Sequence, residues 1–232
     1  MEAVLNCQSL TKNFGAKTAL DHFSAAVYGG RITGLLGPNG SGKTTLIKLA
    51  AGLLTPTDGA VTVCGTAPGT QTKAHVAYLP DRMSLPNHLR VREAVEFFAD
   101  FYVDFQEEKA SALLSELKIQ PDERIGTMSK GTREKLQLAL VMSRAADLYL
   151  LDEPIGGVDP AARDRILDTI IRNYREEAAL VISTHLIGDI EPVLDDVIMI
   201  QDGRPVLTGN VEELRETHGK SMDALFREVF KC

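Results

Sequence analysis

The chain has 232 residues, 44% hydrophobic and 25% charged, which fits one large or two small globular domains with a real core. Its net charge of −7 excludes a general polyanion binder, because nucleic-acid affinity comes mainly from Lys and Arg neutralising phosphates. Three widely spaced cysteines, Cys7, Cys64 and Cys232, make no disulfide framework and have no zinc spacing.

The cysteines read as free thiols in a reducing compartment, Cys7 and Cys64 as small apolar fillers. Cys232 is the last residue and does not fit the prenylation pattern. The first ten residues show no basic region followed by a long apolar run. No stretch reaches the ~18 apolar residues of a membrane span, so a membrane role is expected to run through a partner.

In chain order, residues 4–10, 25–28 and 60–63 predict short strands of an antiparallel edge sheet, with Asp58-Gly59 as a tight-turn signal. Residues 32–36, 75–79, 148–151, 180–183 and 197–200 are short apolar runs without alternation, as in strands covered on both faces. Helical stretches between them argue for a parallel α/β core. Residues 91–102 and 105–117 predict helices. Val91, Val95, Phe98 and Tyr102 form one apolar stripe, and Ala110, Leu113, Leu114 and Leu117 another. Asp104, three residues before Glu107, resembles a helix cap. No core strand is expected between about 86 and 145. Residues 197–207 read strand, Asp202-Gly203 turn, strand, with Pro205 marking an edge. The tail from 211 to 230 is helical, its face of Leu225, Phe226, Val229 and Phe230 expected to pack on the domain.

Residues 37–44 read Gly37, Pro38, Asn39, Gly40, Ser41, Gly42, Lys43, Thr44, a full match to G-x-x-x-x-G-K-[ST] between a strand and a helical run. Triphosphate needs walls without bulk. The glycines let backbone N–H groups approach its oxygens, and the following helix aims its positive end at the same place. Lys43 adds a cation near the β and γ phosphates, and Thr44 offers a hydroxyl to Mg²⁺. This loop alone indicates only a nucleotide binder.

Later residues narrow the class. An apolar strand ends in Asp152 and Glu153, whose side chains should point opposite ways. Asp152 is placed to hold Mg²⁺, and Glu153 to act as general base on water. His185 closes another apolar strand, where ligands of such sheets bind, and reads as a γ-phosphate sensor. His22, His75, His88 and His218 have no such context. Ser129 can cap the helical run that follows it, and Gly131 would admit a phosphate to its N-terminus.

With these motifs in order, the sequence resembles the ABC ATPase family over nearly its whole length. The resemblance implies a single P-loop NTPase domain: a parallel-sheet core with an antiparallel β edge sheet (about 1–85 and 146–210), an inserted helical subdomain (about 86–145) and a helical tail (211–232). It implies that Phe14 stacks on adenine, that Gly37 to Thr44 with Thr45 form the Walker A loop, and that Asp152 ends the Walker B strand. Glu153 becomes the catalytic glutamate and His185 the switch histidine. Ser129 to Thr132 resembles the signature motif, and Gly156 to Asp159 the D-loop.

Three segments depart from the family pattern. Asp81 stands where Gln is usual and can contact Mg²⁺ or its water. The signature reads Met-Ser-Lys-Gly-Thr, placing Lys130 and Thr132 at usual Gly and Gln positions. The D-loop reads Gly-Gly-Val-Asp. The combination resembles exporters whose ATPase and membrane subunits are separate chains.

The implied function is ATP hydrolysis on the inner face of the cell membrane. A second ATPase subunit and an integral membrane subunit are the expected partners, with docking near residues 81–92, and no nucleic acid. Three rivals differ in class. A soluble ABC protein acting on ribosomes or DNA usually has two joined ATPase units or long coiled coils. A small-molecule kinase would leave Ser129 and His185 unexplained. A catalytically dead regulatory subunit would lack Glu153 or His185.

Overall fold

A computed structural model describes residues 2–82 and 85–230. Cys232, together with Met83 and Ser84 of the expected docking segment, lies outside the described residues. Strands β1 (Ala3–Phe14), β2 (Lys17–Tyr28) and β4 (Asp58–Val63) form an antiparallel sheet in the order β2-β1-β4. The second sheet comprises β3 (Arg31–Leu36), β5 (Val76–Leu79), β6 (Leu148–Asp152), β7 (Ala179–Thr184), β8 (Asp196–Gln201) and β9 (Arg204–Asn210). Its order is β5-β6-β7-β3-β8-β9, parallel except for β9.

The apolar runs lack alternation because both faces of the parallel sheet are covered. Leu148 and Leu150 of β6 pack toward Leu10, Phe23 and Ile47, between the two sheets. Tyr149 and Leu151 of the same strand pack toward Leu136, Leu140 and Ile170 on the opposite face. Helix α1 (Lys43–Ala50) belongs to the first layer. Between β5 and β6 come α2 (Val91–Phe101), α3 (Glu107–Glu116) and α4 (Lys130–Met142), with no named strand among the described residues. Helix α5 (Pro160–Asn173) and the short α6 (Ile187–Ile190) follow β6 and β7. The tail forms α7 (Val211–His218) and α8 (Met222–Phe230), broken at Gly219, which is left-handed at φ 64. Leu225 and Phe226 are buried in the second core layer, with Val229 and Phe230 packed against it.

Four local expectations are corrected. Asp58-Gly59 is no hairpin turn. It lies inside β4 opposite a register shift of β1, where a Cβ on Gly59 would fall 2.2 Å from Ser9 O. Asp104 does not cap α3, whose first residue is Glu107 after Gln106; it pairs with the buried Arg144 at 2.9 Å. β2 begins at Lys17, not near 25, because its exposed face carries Lys17 and His22. Cys7 is buried as expected, but Cys64 is exposed and fills no core space.

The parallel register sets the carboxyl ends side by side. Leu36 lies opposite Thr184, and Asp152 opposite Ser183. The loops that leave β3, β6 and β7 therefore emerge on one edge.

Candidate active site

The loop from Gly37 to Gly42 is forced by close packing. A Cβ on Gly37 would sit 2.3 Å from Ile200 O, and Gly42 has φ 117 with Ala19 O 2.7 Å from a would-be Cβ. No larger residue fits either place. Gly42 is the N-cap of α1 without a side-chain cap, so the helix presents its N–H groups to the loop.

Lys43 is 5% exposed, and its ammonium donates to Gly37 O at 2.7 Å and Pro38 O at 3.2 Å. Burial pulls its pKa below the ordinary value, and Glu153, 3.6 Å away, opposes that. Thr44 donates its hydroxyl to Asp152 Oδ1 at 3.1 Å, and Ser183 Oγ donates to the same oxygen at 2.7 Å. Asp152 Oδ2 is buried without a protein partner, as is Ser41 Oγ. Burial pushes the Asp152 carboxyl upward; the Ser183 and Thr44 hydroxyls oppose this, and the Asp81 and Glu153 carboxylates add to it.

The two acids are not separated by strand alternation. Glu153 lies one residue past β6, with left-handed φ 51, and its N–H donates to Ser183 O and Ser183 Oγ at 3.1 Å each. That turn brings both carboxylates to the Lys43–Thr44 corner while giving them different partners. Glu153 Oε2 meets His185 Nδ1 at 3.1 Å. Asp152 stays behind it against Thr44.

These groups border an open cavity of about 650 Å³. Its walls bring together Phe14, Asn39, Gly40, Gly42, Lys43, Thr44 and Thr45 with Asp81, Glu153 and His185. Gly37, Ser41 and Asp152 are buried and Pro38 is exposed; none of the four lines the wall. Ser129 and Gly131 are not on it. Ser129 caps α4, accepting from Thr132 N at 3.2 Å, and both residues are exposed. Sequence reasoning missed Ser183, whose only signal is a hydroxyl beside Thr184 at the end of an apolar strand. It also missed the wall residues Lys17 and Ala19, and it gave Gly156 and Gly157 to the D-loop and Lys130 to the signature segment, not to this wall.

The donor set suits a hard cation. Thr44 and Asp152 offer oxygen ligands only, and Asp152 Oδ2 is a buried anionic oxygen with nothing to accept from.

The ABC transporter family matches residues 20–156 of this chain. An uncharacterized ABC transporter ATP-binding protein of Methanocaldococcus jannaschii is 34% identical over 220 residues, 92% of this chain and 80% of that protein. This chain belongs to the ABC transporter family. The Nod factor export ATP-binding protein I of Burkholderia lata is 29% identical across 93% of this chain and 73% of its own length. A solved ATP-binding subunit of an ABC transporter superposes with a TM-score of 0.88 at 27% identity, covering 98% of this chain and 99% of that one. The present chain is thus an ABC ATPase, with the P-loop NTPase fold, that binds nucleotide and hydrolyses ATP. Asp159, in the segment that resembles a D-loop, caps α5, accepting from Ala162 N at 3.2 Å, and Pro160 opens that helix.

Proposed function

We propose that this ABC ATPase powers export through a separate integral membrane subunit, as one of a head-to-tail pair of ATPase subunits on the inner face of the cell membrane. The observation that carries the chemistry is Glu153, held between His185 at 3.1 Å and Lys43 at 3.6 Å at the mouth of the phosphate loop.

In this reading the loop N–H groups and Lys43 hold the β and γ phosphates, with Phe14 under the adenine. Glu153 accepts a proton from water as its oxygen attacks the γ-phosphorus and the bond to ADP breaks. His185 holds a γ-phosphate oxygen, and Lys43 stabilises the spreading charge. Thr44 and Asp152 would hold Mg²⁺, with Asp81 of the same cavity contacting the ion or its water; the ion would neutralise phosphate charge. Ser129 and Gly131 of a second copy would close the cage.

Export is supported by the name of the Burkholderia lata relative. No helix among the described residues is long and apolar enough to cross a membrane, so work on a cargo would pass through a partner. The acidic balance of the chain speaks against nucleic acid as that partner.

Two variants test the site. Glu153→Gln should keep nucleotide affinity and lose about 10²–10⁴-fold in phosphate release. Lys43→Ala should lose ATP affinity itself. Wild-type turnover in the first, or unchanged affinity in the second, would overturn these roles. Capture from detergent-solubilised membranes tests the partner: an integral membrane chain supports transport, and ribosomes or DNA would refute it.

A further inference from the structure

We propose that Cys64, His75 and Asp147 form a second cation site, for zinc or another thiophilic divalent ion, at the edge of the sheet remote from the nucleotide. Their ligand atoms (one Sγ, one imidazole nitrogen and one carboxylate oxygen) all lie within 4.8 Å of one another. Two ligand atoms on a tetrahedral zinc ion stand about 3.3–3.6 Å apart, so small side-chain rotations would close the site.

Sequence spacing hides this trio, and topology assembles it. Cys64 follows the last residue of β4, His75 precedes β5, and Asp147 precedes β6. The nucleotide loops leave the opposite ends of the strands. The five residues of β6 separate Asp147 from Asp152 by roughly 16 Å at ~3.3 Å per residue. The two cation sites are therefore independent.

The backbone around the trio is fixed without a metal. The N–H groups of Asp147 and Leu148 both donate to His75 O, each at 3.0 Å. Cys64 N donates to Val4 O at 2.8 Å, and Cys64 holds a left-handed φ of 48, which a non-glycine residue adopts only when its surroundings impose it. Asp147 Oδ1 forms an ion pair with Arg175 Nη2 at 3.1 Å, while Oδ2 meets His75 Nδ1 at 2.6 Å. Such an outer partner is the usual means of orienting a ligating carboxylate.

The chemistry selects the ion. Thiolate and imidazole suit zinc or cobalt and disfavour Mg²⁺, which prefers oxygen ligands. Cys64 and His75 are exposed and Asp147 is half-buried, so an ion could enter from solvent and keep water as its fourth ligand. A bound ion would tie β4 of the three-stranded sheet to β5 and β6 of the larger one. A plain ion pair accounts for His75 and Asp147 but gives Cys64 no part.

The test uses the full chain, stripped of metal and then held in excess Mg²⁺ and ADP so that the nucleotide site is occupied. Co²⁺ is titrated while the thiolate-to-cobalt charge-transfer absorption is followed, and Zn²⁺ is then added in competition. We expect a band that saturates at one equivalent and is displaced by zinc. Cys64→Ser should abolish it, and His75→Ala should weaken zinc binding at least ~10-fold. Cys7→Ser and Cys232→Ser should leave it intact. The proposal is overturned if no thiolate band forms, if the band survives Cys64→Ser, or if His75→Ala binds zinc as tightly as the parent.

Discussion

Asp152 is held almost wholly out of water, with Ser183 and Thr44 donating to one oxygen and no protein group donating to the other. Burial raises its folded pKa above the ordinary 3.8, and the nearby Asp81 and Glu153 carboxylates add to that. The folded state then binds more protons at Asp152 than the unfolded state does. Stability contributed at this position falls as pH rises through the window from 3.8 to the raised value. Asp152→Asn should therefore unfold at higher urea than the parent at pH 7 without nucleotide or metal, with the difference vanishing below pH 3.8. The same variant should lose Mg²⁺-dependent nucleotide retention, a trade of stability for function. Equal or lower stability at pH 7 would mean that Asp152 is not a destabilising charge. Residues of this site were legible where the chemistry is local in sequence: Lys43 and Thr44 stand beside the glycines that need them, and Asp152 and Glu153 are adjacent. Ser183 was not legible, because its role comes from lying opposite Asp152 in the register of two strands. Cys64, His75 and Asp147 were hidden for the same reason.

Arg144 joins the helical segment to the core sheet. Its guanidinium is buried, pairs with Asp104 at 2.9 Å, donates to Val76 O and Ala74 O at 2.6 and 2.8 Å, and lies 3.8 Å from the Tyr102 ring centre. It thereby fixes the end of α2 and the start of β5 to the end of α4. Arg144→Ala leaves these carbonyls and Asp104 without their cation. Loss of a buried partner costs about 3–5 kcal/mol, and the partial exposure of Asp104 places this case near the lower end. A urea midpoint equal to the parent's would refute the role. The elements themselves were legible wherever burial was uniform. The parallel strands β3, β5, β6, β7 and β8 are mostly apolar because helices and the second sheet cover both faces. The early strands were read too short, since β1 and β2 carry exposed polar residues and irregular backbone at Ser9 and His22, with φ 47 and 48. The start of α2 was placed correctly for a reason the pattern does not show: Glu93 Oε2 accepts from Arg90 N at 2.7 Å.

Among the described residues, the molecule presents a glycine-rich loop at Gly37 to Thr44 and the exposed start of α4. Helix α4 runs 13 residues from an N-terminus capped by Ser129. Gly131 is exposed, and a Cβ built on it would meet no atom within 4 Å. Neither Ser129 nor Gly131 lies on the wall of the cavity of its own chain, although the Lys130 side chain does. A γ-phosphate in that cavity has one helix N-terminus, that of α1, aimed at it. In the proposed head-to-tail pair, the helix end at Ser129 of another copy would stabilise the anion further. ATP should therefore act as a shared ligand that links two chains, and hydrolysis should release them. Blocking hydrolysis with Glu153→Gln should make the pair persist, so that Mg²⁺ and ATP shift this variant to the dimer position in size-exclusion chromatography, while ADP leaves it monomeric. Adding Ser129→Arg should obstruct the approach of the second helix end. That double variant should bind ATP with the affinity of Glu153→Gln alone, because its own phosphate loop is untouched, and should still elute as a monomer. A dimer that forms equally well with arginine at position 129 would sink the head-to-tail arrangement and leave only the phosphate-loop half of the site standing.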